Sequence, residues 1–198
     1  MVTHRSANKV MKFQDELVAD LKHLFPRRIT WLPVRATLVG RASVEQTQRS
    51  RSFFFAALGL LAARSSGARR VRFFENGVIS LNLPIARQVI GTMATRTTHP
   101  LGLQRLQTLL SLVAAEDITV DNPFTWLTKT EVVARLNTHG GAGMAGHSVS
   151  CSNVRDRTRL YTHCGACSQC LDRRFAMISA GLADFDPAEM YETELLEG

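Results

Sequence analysis

The sequence predicts an α/β protein in which helices cover a parallel sheet, followed by a small metal-binding element. Two observations carry this expectation. Between residues 8 and 140, helical periodicity alternates with short runs rich in β-branched residues, which is the pattern of a parallel sheet wrapped by helices. Beyond that stretch, Cys164, Cys167 and Cys170 stand at three-residue steps, and twelve residues separate Cys164 from the fourth cysteine, Cys151.

The elements follow in order. NKVMKFQDELVADLKHL (8–24) places Val10, Phe13, Leu17, Leu21 and Leu24 on one stripe, an amphipathic helix closed by Pro26. ITWLPVRATL (29–38) reads as a strand whose Pro33 suits an edge or bulge, and GRASVEQTQ (40–48) as a loop. SRSFFFAALGLLAARSSG (50–67) is apolar throughout after a polar start and is expected to be a buried helix, with Phe53, Phe54 and Phe55 in the core. ARRVRFF is a second strand, LGLQRLQTLLSLVAAE (101–116) a helix, DITVD (117–121) a strand and TKTEVVARLNTHG (128–140) a helix. GGAGMAG (140–146) is expected to be a hinge, and the last helix runs from Ser168 to Gly181. In a sheet of this kind ligands bind beyond the carboxyl ends of the strands.

Composition narrows the classes. The net charge is +7, built from 20 arginines and 4 lysines, an excess of the planar cation that recognises phosphate and carboxylate. Nucleotides are plausible partners on that ground, and a nucleic-acid binder is the alternative, which a salt-independent affinity would exclude. The N-terminal residues lack a signal-peptide core and no run is long enough to span a bilayer, so the expected location is the cytoplasm. There thiols are reduced, which favours metal binding over disulfides. Residues 183–198 carry six acidic and no basic side chains and are expected to form a solvated acidic tail, with a short helix after Pro187.

Four cysteines at this spacing suit structural zinc, which takes four tetrahedral ligands. An iron–sulfur cluster uses the same ligand type and is the competing reading. His163 and His147 flank the thiols and could replace a ligand or support one. With four thiolates in place no coordination position stays open, so the metal would fold the segment rather than catalyse.

The run SVSC (148–151), a variable loop and HCGACSQCLDRRFA (163–176) resemble the C-terminal zinc element of the 7-cyano-7-deazaguanine synthase family, QueC. HRSANKVMKFQDEL, RSRSFFFAALGLLAA, FFENGVISLNLP, TRTTHPL and NPFTWLTKTEV are similar to a QueC-like branch of anti-phage defence islands, the Qat system. The resemblance runs from about Thr3 to Ala180. It implies a Rossmann-like adenine-nucleotide α-hydrolase sheet (a PP-loop ATP pyrophosphatase), ATP and Mg²⁺ as the intact family's co-substrate and cofactor, and bound zinc. It also implies a ligase that adenylates a carboxylate on a 7-deazaguanine-type substrate and forms the amide and then the nitrile, with defence proteins as candidate partners.

The family's phosphate loop, SGGxDS, does not occur in residues 1–198, where there is no SGG triplet. The expectation is therefore a sheet lacking its first βα unit and a chain inactive alone, or one that only binds nucleotide or partners. The expected domains are 1–146, the partial nucleotide domain; 147–182, the zinc element; and 183–198, the tail.

The resemblance further implies substrate- or nucleotide-facing roles for Arg49 and Arg51, for Glu75, Asn76 and Asn82, and for Thr98 and His99. Lys129 matches a lysine directed at the phosphates. For several of these a structural role competes: an N-G turn at 76–77, helix capping at 97–99, and a capping box of Thr128 and Glu131 around Lys129. Arg173 and Arg174 could reach phosphate or flank Asp172 in a solvated pair.

Overall fold

The computed structural model describes residues 1–5, 8–36, 39–40, 51–81, 98–152 and 160–194. Arg49, Ser50, Asn82, Thr97 and the segment from 41 onward in the expected loop lie outside them. The elements are β1 (Val2–His4), α1 (Asn8–Leu24), β2 (Leu32–Val34), α2 (Arg51–Ser65), β3 (Arg70–Arg72), α3 (Gly77–Leu81), α4 (Pro100–Ala114), β4 (Thr119–Asp121), α5 (Lys129–Thr138) and α6 (Ser168–Ser179), with short 3₁₀ turns at Ala142–His147, Ala183–Phe185 and Ala188–Met190. The protein is mixed α/β with small parallel sheets.

Two compact units divide the chain. One holds Met1, 3–37 and 129–198; the other holds Val2 and 38–128. In this division the cysteine-bearing C-terminal region groups with the first helix.

In the 38–128 unit, β3 and β4 pair in parallel with Arg70 opposite Thr119, Val71 opposite Val120 and Arg72 opposite Asp121. Ala56, Leu60 and Ala63 form one stripe of α2 and pack with Val71, Leu103, Leu110, Ile118 and Val120. Each fully buried branched side chain there contributes about 1.5–3 kcal/mol. Gly59 sets the closeness of α2 to β3, since a Cβ at that position would stand 2.6 Å from Val71 Cγ1. The expectation of a wholly buried α2 does not hold: Phe53 is 49% and Leu61 67% exposed. An all-apolar sequence has no periodicity to mark its inner face, and a two-stranded sheet covers only one stripe of the helix.

The outer edge of β4 is closed by side chains of α4. Gln107 accepts the Val120 N–H at 3.0 Å, and Ser111 both accepts from the Ile118 N–H and donates to its carbonyl. Such capping satisfies edge groups that would otherwise invite another strand.

In the other unit, Leu32 N–H donates to Met1 C=O and Arg5 N–H to Val34 C=O, so β1 and β2 advance together as a parallel pair. The GGAGMAG segment is not a hinge. Ala142, Met144 and Ala145 are buried, and Ala142 and Ala145 share a core with Met177 and Leu182. Small residues here permit close packing of a 3₁₀ turn rather than motion, and Gly140, at φ +72°, supplies the left-handed exit from α5. His147 pairs with Asp20 of α1 at 2.6 Å, so it is not a thiol-cluster ligand.

The C-terminal residues also depart from expectation. Asp186 is fully buried, Tyr191 nearly so and Glu194 half-buried, whereas Asp184, Glu189 and Glu192 are exposed as expected. The short turn after Pro187 is present as Ala188–Met190.

Candidate functional site

The four cysteines converge. Cys151 arrives from the extended segment after the 3₁₀ turn, Cys164 and Cys167 from a tight loop, and Cys170 from the first turn of α6. All four sulfurs lie within 4.8 Å of one another, with Cys164 Sγ 3.9 Å and Cys167 Sγ 3.4 Å from Cys170 Sγ. These separations are far from the ~2.05 Å of a disulfide. They bracket the roughly 3.8 Å between thiolates sharing one ion at ~2.3 Å in tetrahedral geometry. Gly165 shapes the loop, with φ +78°, and a Cβ there would collide with the Thr193 carbonyl.

The electrostatics separate the thiols. For Cys167, burial pushes the thiol up, but hydrogen bonds from the Ser152 and Cys170 backbones and from the neighbouring thiols override it and bring it down to about 6. Burial pushes Cys170 up, and its hydrogen bond with Cys167 adds to this. In metal-free protein at pH 7, iodoacetamide is therefore expected to label Cys167 first and Cys170 last, because the thiolate is the nucleophile; mass mapping that found Cys170 first would contradict this ordering.

His163 is buried and accepts the Ser150 N–H at Nε2 over 3.3 Å. Its ring stacks on Tyr191 at 5.0 Å between centroids. It thus braces the thiol loop from behind, leaving a ligand set of four sulfurs.

The clamp behind the thiols was not read from the sequence. Arg173 is 4% exposed and donates to Asp186 at 2.7 Å, to the Ser148 carbonyl and hydroxyl, and to the Ala145 carbonyl. Neither phosphate contact nor a solvated pair with Asp172 describes it. Arg174 donates to the Asp186 carbonyl and pairs with Glu194. The Tyr191 hydroxyl donates to Asp186 at 2.7 Å, and burial with that bond pushes the phenol well above its ordinary range. One signal was available: Cys170, Arg173 and Met177 fall on one face of a helix at steps of three and four.

A second polar cluster forms beyond the carboxyl ends of β3 and β4. Thr98, fully buried, donates to the Glu75 carboxylate at 2.7 Å and lies 3.0 Å from the Ser80 hydroxyl. Asn122 donates to Ser80 Oγ and to the Glu75 carbonyl. Asn76 caps α3, accepting the Ile79 N–H at 3.2 Å, so the N-G pair opens a helix rather than forming a free turn. His99 caps α4 through Nδ1, and Pro100 occupies its first turn. The structure thus joins Glu75 and Thr98 directly, with Asn76 and His99 adjoining them in sequence. Asn122 is the member that sequence reasoning missed, although it follows a strand as Glu75 does.

Arg51 sits at the start of α2 with its guanidinium 5.6 Å from the Phe55 ring centre. Lys129 belongs to the other unit and pairs with Asp172 of α6 at 2.7 Å. Replacing Thr98 with valine is expected to destabilise the 38–128 unit by about 1–3 kcal/mol, since it removes a bond to the Glu75 carboxylate and one to Ser80 from a fully buried position; urea denaturation reads it.

Residues 99–181 match the family model described as queuosine biosynthesis protein QueC. That segment, less than half of the chain, is similar to QueC. The QueC-like segment holds all four cysteines, Lys129 and Asn122, and Glu75 precedes it. No curated protein matches the chain significantly. No helix among the described residues is long and apolar enough to cross a membrane.

Proposed function

We propose that the chain works within a QueC-like, ATP-dependent ligase that activates a carboxylate on a 7-deazaguanine-type substrate and carries it through the amide to the nitrile, in deazapurine metabolism or anti-phage defence. The observation that carries this reading is the coincidence of the QueC-like segment, 99–181, with four thiols gathered around one point.

Zinc is the ion this donor set fits best. Four sulfurs close the tetrahedron, so its contribution is to folding. A four-iron cluster would spread its thiolates over separate irons, further apart than thiolates on one ion.

ATP would supply the activating group, and Mg²⁺ the charge that steadies the departing pyrophosphate. Within this reading Arg49, Arg51, Glu75, Asn76, Asn82, Thr98, His99 and Lys129 are the nucleotide- and substrate-facing positions. Hydrogen bonding from Thr98 fixes the Glu75 carboxylate, and Asp172 orients the Lys129 ammonium.

The chain alone is expected to release no pyrophosphate from ATP above a metal-chelated control. Fusing a QueC strand–loop–helix bearing SGGxDS ahead of Met1 is expected to give AMP and pyrophosphate, dependent on a 7-carboxylated deazapurine. A soluble, zinc-loaded fusion without that activity would sink the ligase reading. It would favour the second reading, a nucleotide- or partner-binding subunit of a defence complex.

A further inference from the structure

The turn that closes α1 carries positive charge with nothing to balance it. Lys22 and His23 stand in the last turn of the helix, Arg27 and Arg28 follow Pro26, and all four side chains are exposed. The carboxylates of α1 are committed elsewhere: Asp15 bonds Arg5, Glu16 pairs with Lys12, and Asp20 pairs with His147. Among the described residues no carboxylate pairs with Lys22, Arg27 or Arg28.

Helix polarity accounts for only part of this. Cations in a last turn complement the partial negative charge of the helix end, and the effect fades beyond it, so it covers Lys22 and His23 but not the two arginines. Arg27 is moreover held at φ +65°. The Phe25 carbonyl accepts the Arg28 N–H at 3.1 Å across Pro26 and Arg27. This is a four-residue turn with proline second and a positive φ third, and that third place favours glycine. Ala115, the other described non-glycine at positive φ, is a small residue that closes α4. A long, charged side chain at a strained position that glycine would fill more easily points to use of the side chain itself.

The charge pattern sets the ligand. Permanent cations crowded on one short turn, without acceptors of their own, match anions repeated closely along a polymer. Guanidinium groups recognise phosphate through paired N–H donors. Phe25, the aromatic residue of this turn, is half-buried, so it presents no open face for a base to stack on. Contacts would go to the phosphates, which fix position without reading sequence.

We propose that Lys22, Arg27 and Arg28 bind the phosphodiester backbone of a nucleic acid, whatever its base sequence. The site shares no residue with the ligase reading and is tested without ATP or a deazapurine.

The test is fluorescence anisotropy of a labelled oligouridylate titrated with the metal-loaded full chain over a range of salt. Each phosphate neutralised on a single strand contributes about −0.7 to the slope of log K against log salt, so three contacts predict a slope of about −2. Arg27→Gly, Arg28→Ala and Lys22→Ala are each expected to bring that slope about 0.7 closer to zero. Arg27→Gly is also expected to unfold at or above the parent's temperature, since glycine takes the positive φ without strain, which separates lost binding from lost structure. Arg70, an exposed arginine of the 38–128 unit, pairs with Asp121, and Arg70→Ala is expected to leave the slope unchanged. An oligothymidylate of equal length is expected to bind within about threefold of the oligouridylate, because a backbone site reads neither base nor sugar. A flat salt response or an Arg70→Ala effect equal to that of Arg27→Gly would overturn the proposal. So would an Arg27→Gly variant that unfolds earlier, a preference above about tenfold for one nucleic acid, or equal displacement by poly-L-glutamate, the mark of an acidic protein partner.

Discussion

Stripping the metal, or replacing Cys164 or Cys170 with serine, is expected to release residues 186–194 together with the thiol loop. The two are one structure. Thr162 and His163 both donate to the Met190 carbonyl, and Glu192 donates to the His163 carbonyl. Tyr191 shares a core with Cys151, Cys164 and Cys170, and the Gly165 turn is shaped against Thr193. A structural zinc contributes about 10–16 kcal/mol of apparent binding free energy in small metal-folded peptides, against the roughly 5–15 kcal/mol that holds a whole domain together. With zinc in the site, its loss would exceed what the remaining hydrogen bonds supply. Metal analysis with limited proteolysis and mass mapping reads this: cleavage between 183 and 194 is expected to rise in step with metal loss. Metal-free protein that kept full protease resistance there would show that the clamp holds the loop without an ion.

What the sequence made legible was local. The stripe from Val10 to Leu24, ended by Pro26, predicted α1 within its observed bounds. The cysteine spacing predicted the convergence of four thiols because three of them sit on one tight loop and the helix turn that follows it. What stayed hidden depends on partners far along the chain. Arg173 is made structural by Asp186, Ser148 and Ala145, none of which advertises itself at a distance. The composition of 183–198 suggested solvation, yet one buried carboxylate with two arginines and a tyrosine around it turned part of that stretch inward. The glycines of 140–146 suggested motion, but Ala142 and Ala145 between them supply core contacts. At Glu75 the rule that ligands bind past strand ends singled out a residue that the fold ties to Thr98 and Asn122. The same rule applied to β4 would have found Asn122.

Replacing Arg173 with methionine is expected to cost about 3–5 kcal/mol, the range for breaking a buried ion pair by removing one partner. The substitution leaves the fully buried Asp186 carboxylate with the Tyr191 hydroxyl and with Arg174 at 3.6 Å, and it removes the guanidinium's bonds to the Ser148 and Ala145 carbonyls, the latter keeping those from Ser148. Lysine is expected to rescue little, since a point charge cannot reproduce a fork that reaches three residues at once. The control lies on the same helix: Asp172→Asn breaks the pair with Lys129, whose side chains keep 18% and 35% of their exposure, and is expected to cost no more than ~1 kcal/mol. Urea denaturation of the metal-loaded protein compares the two, and an Arg173→Met variant no less stable than Asp172→Asn would refute the clamp. Combining Arg173→Met with Asp186→Asn is expected to cost less than the two singles added, because the second change removes the charge that the first left unpaired. That shortfall measures the coupling through which α6, already bearing Cys170, holds the C-terminal residues against the thiol loop.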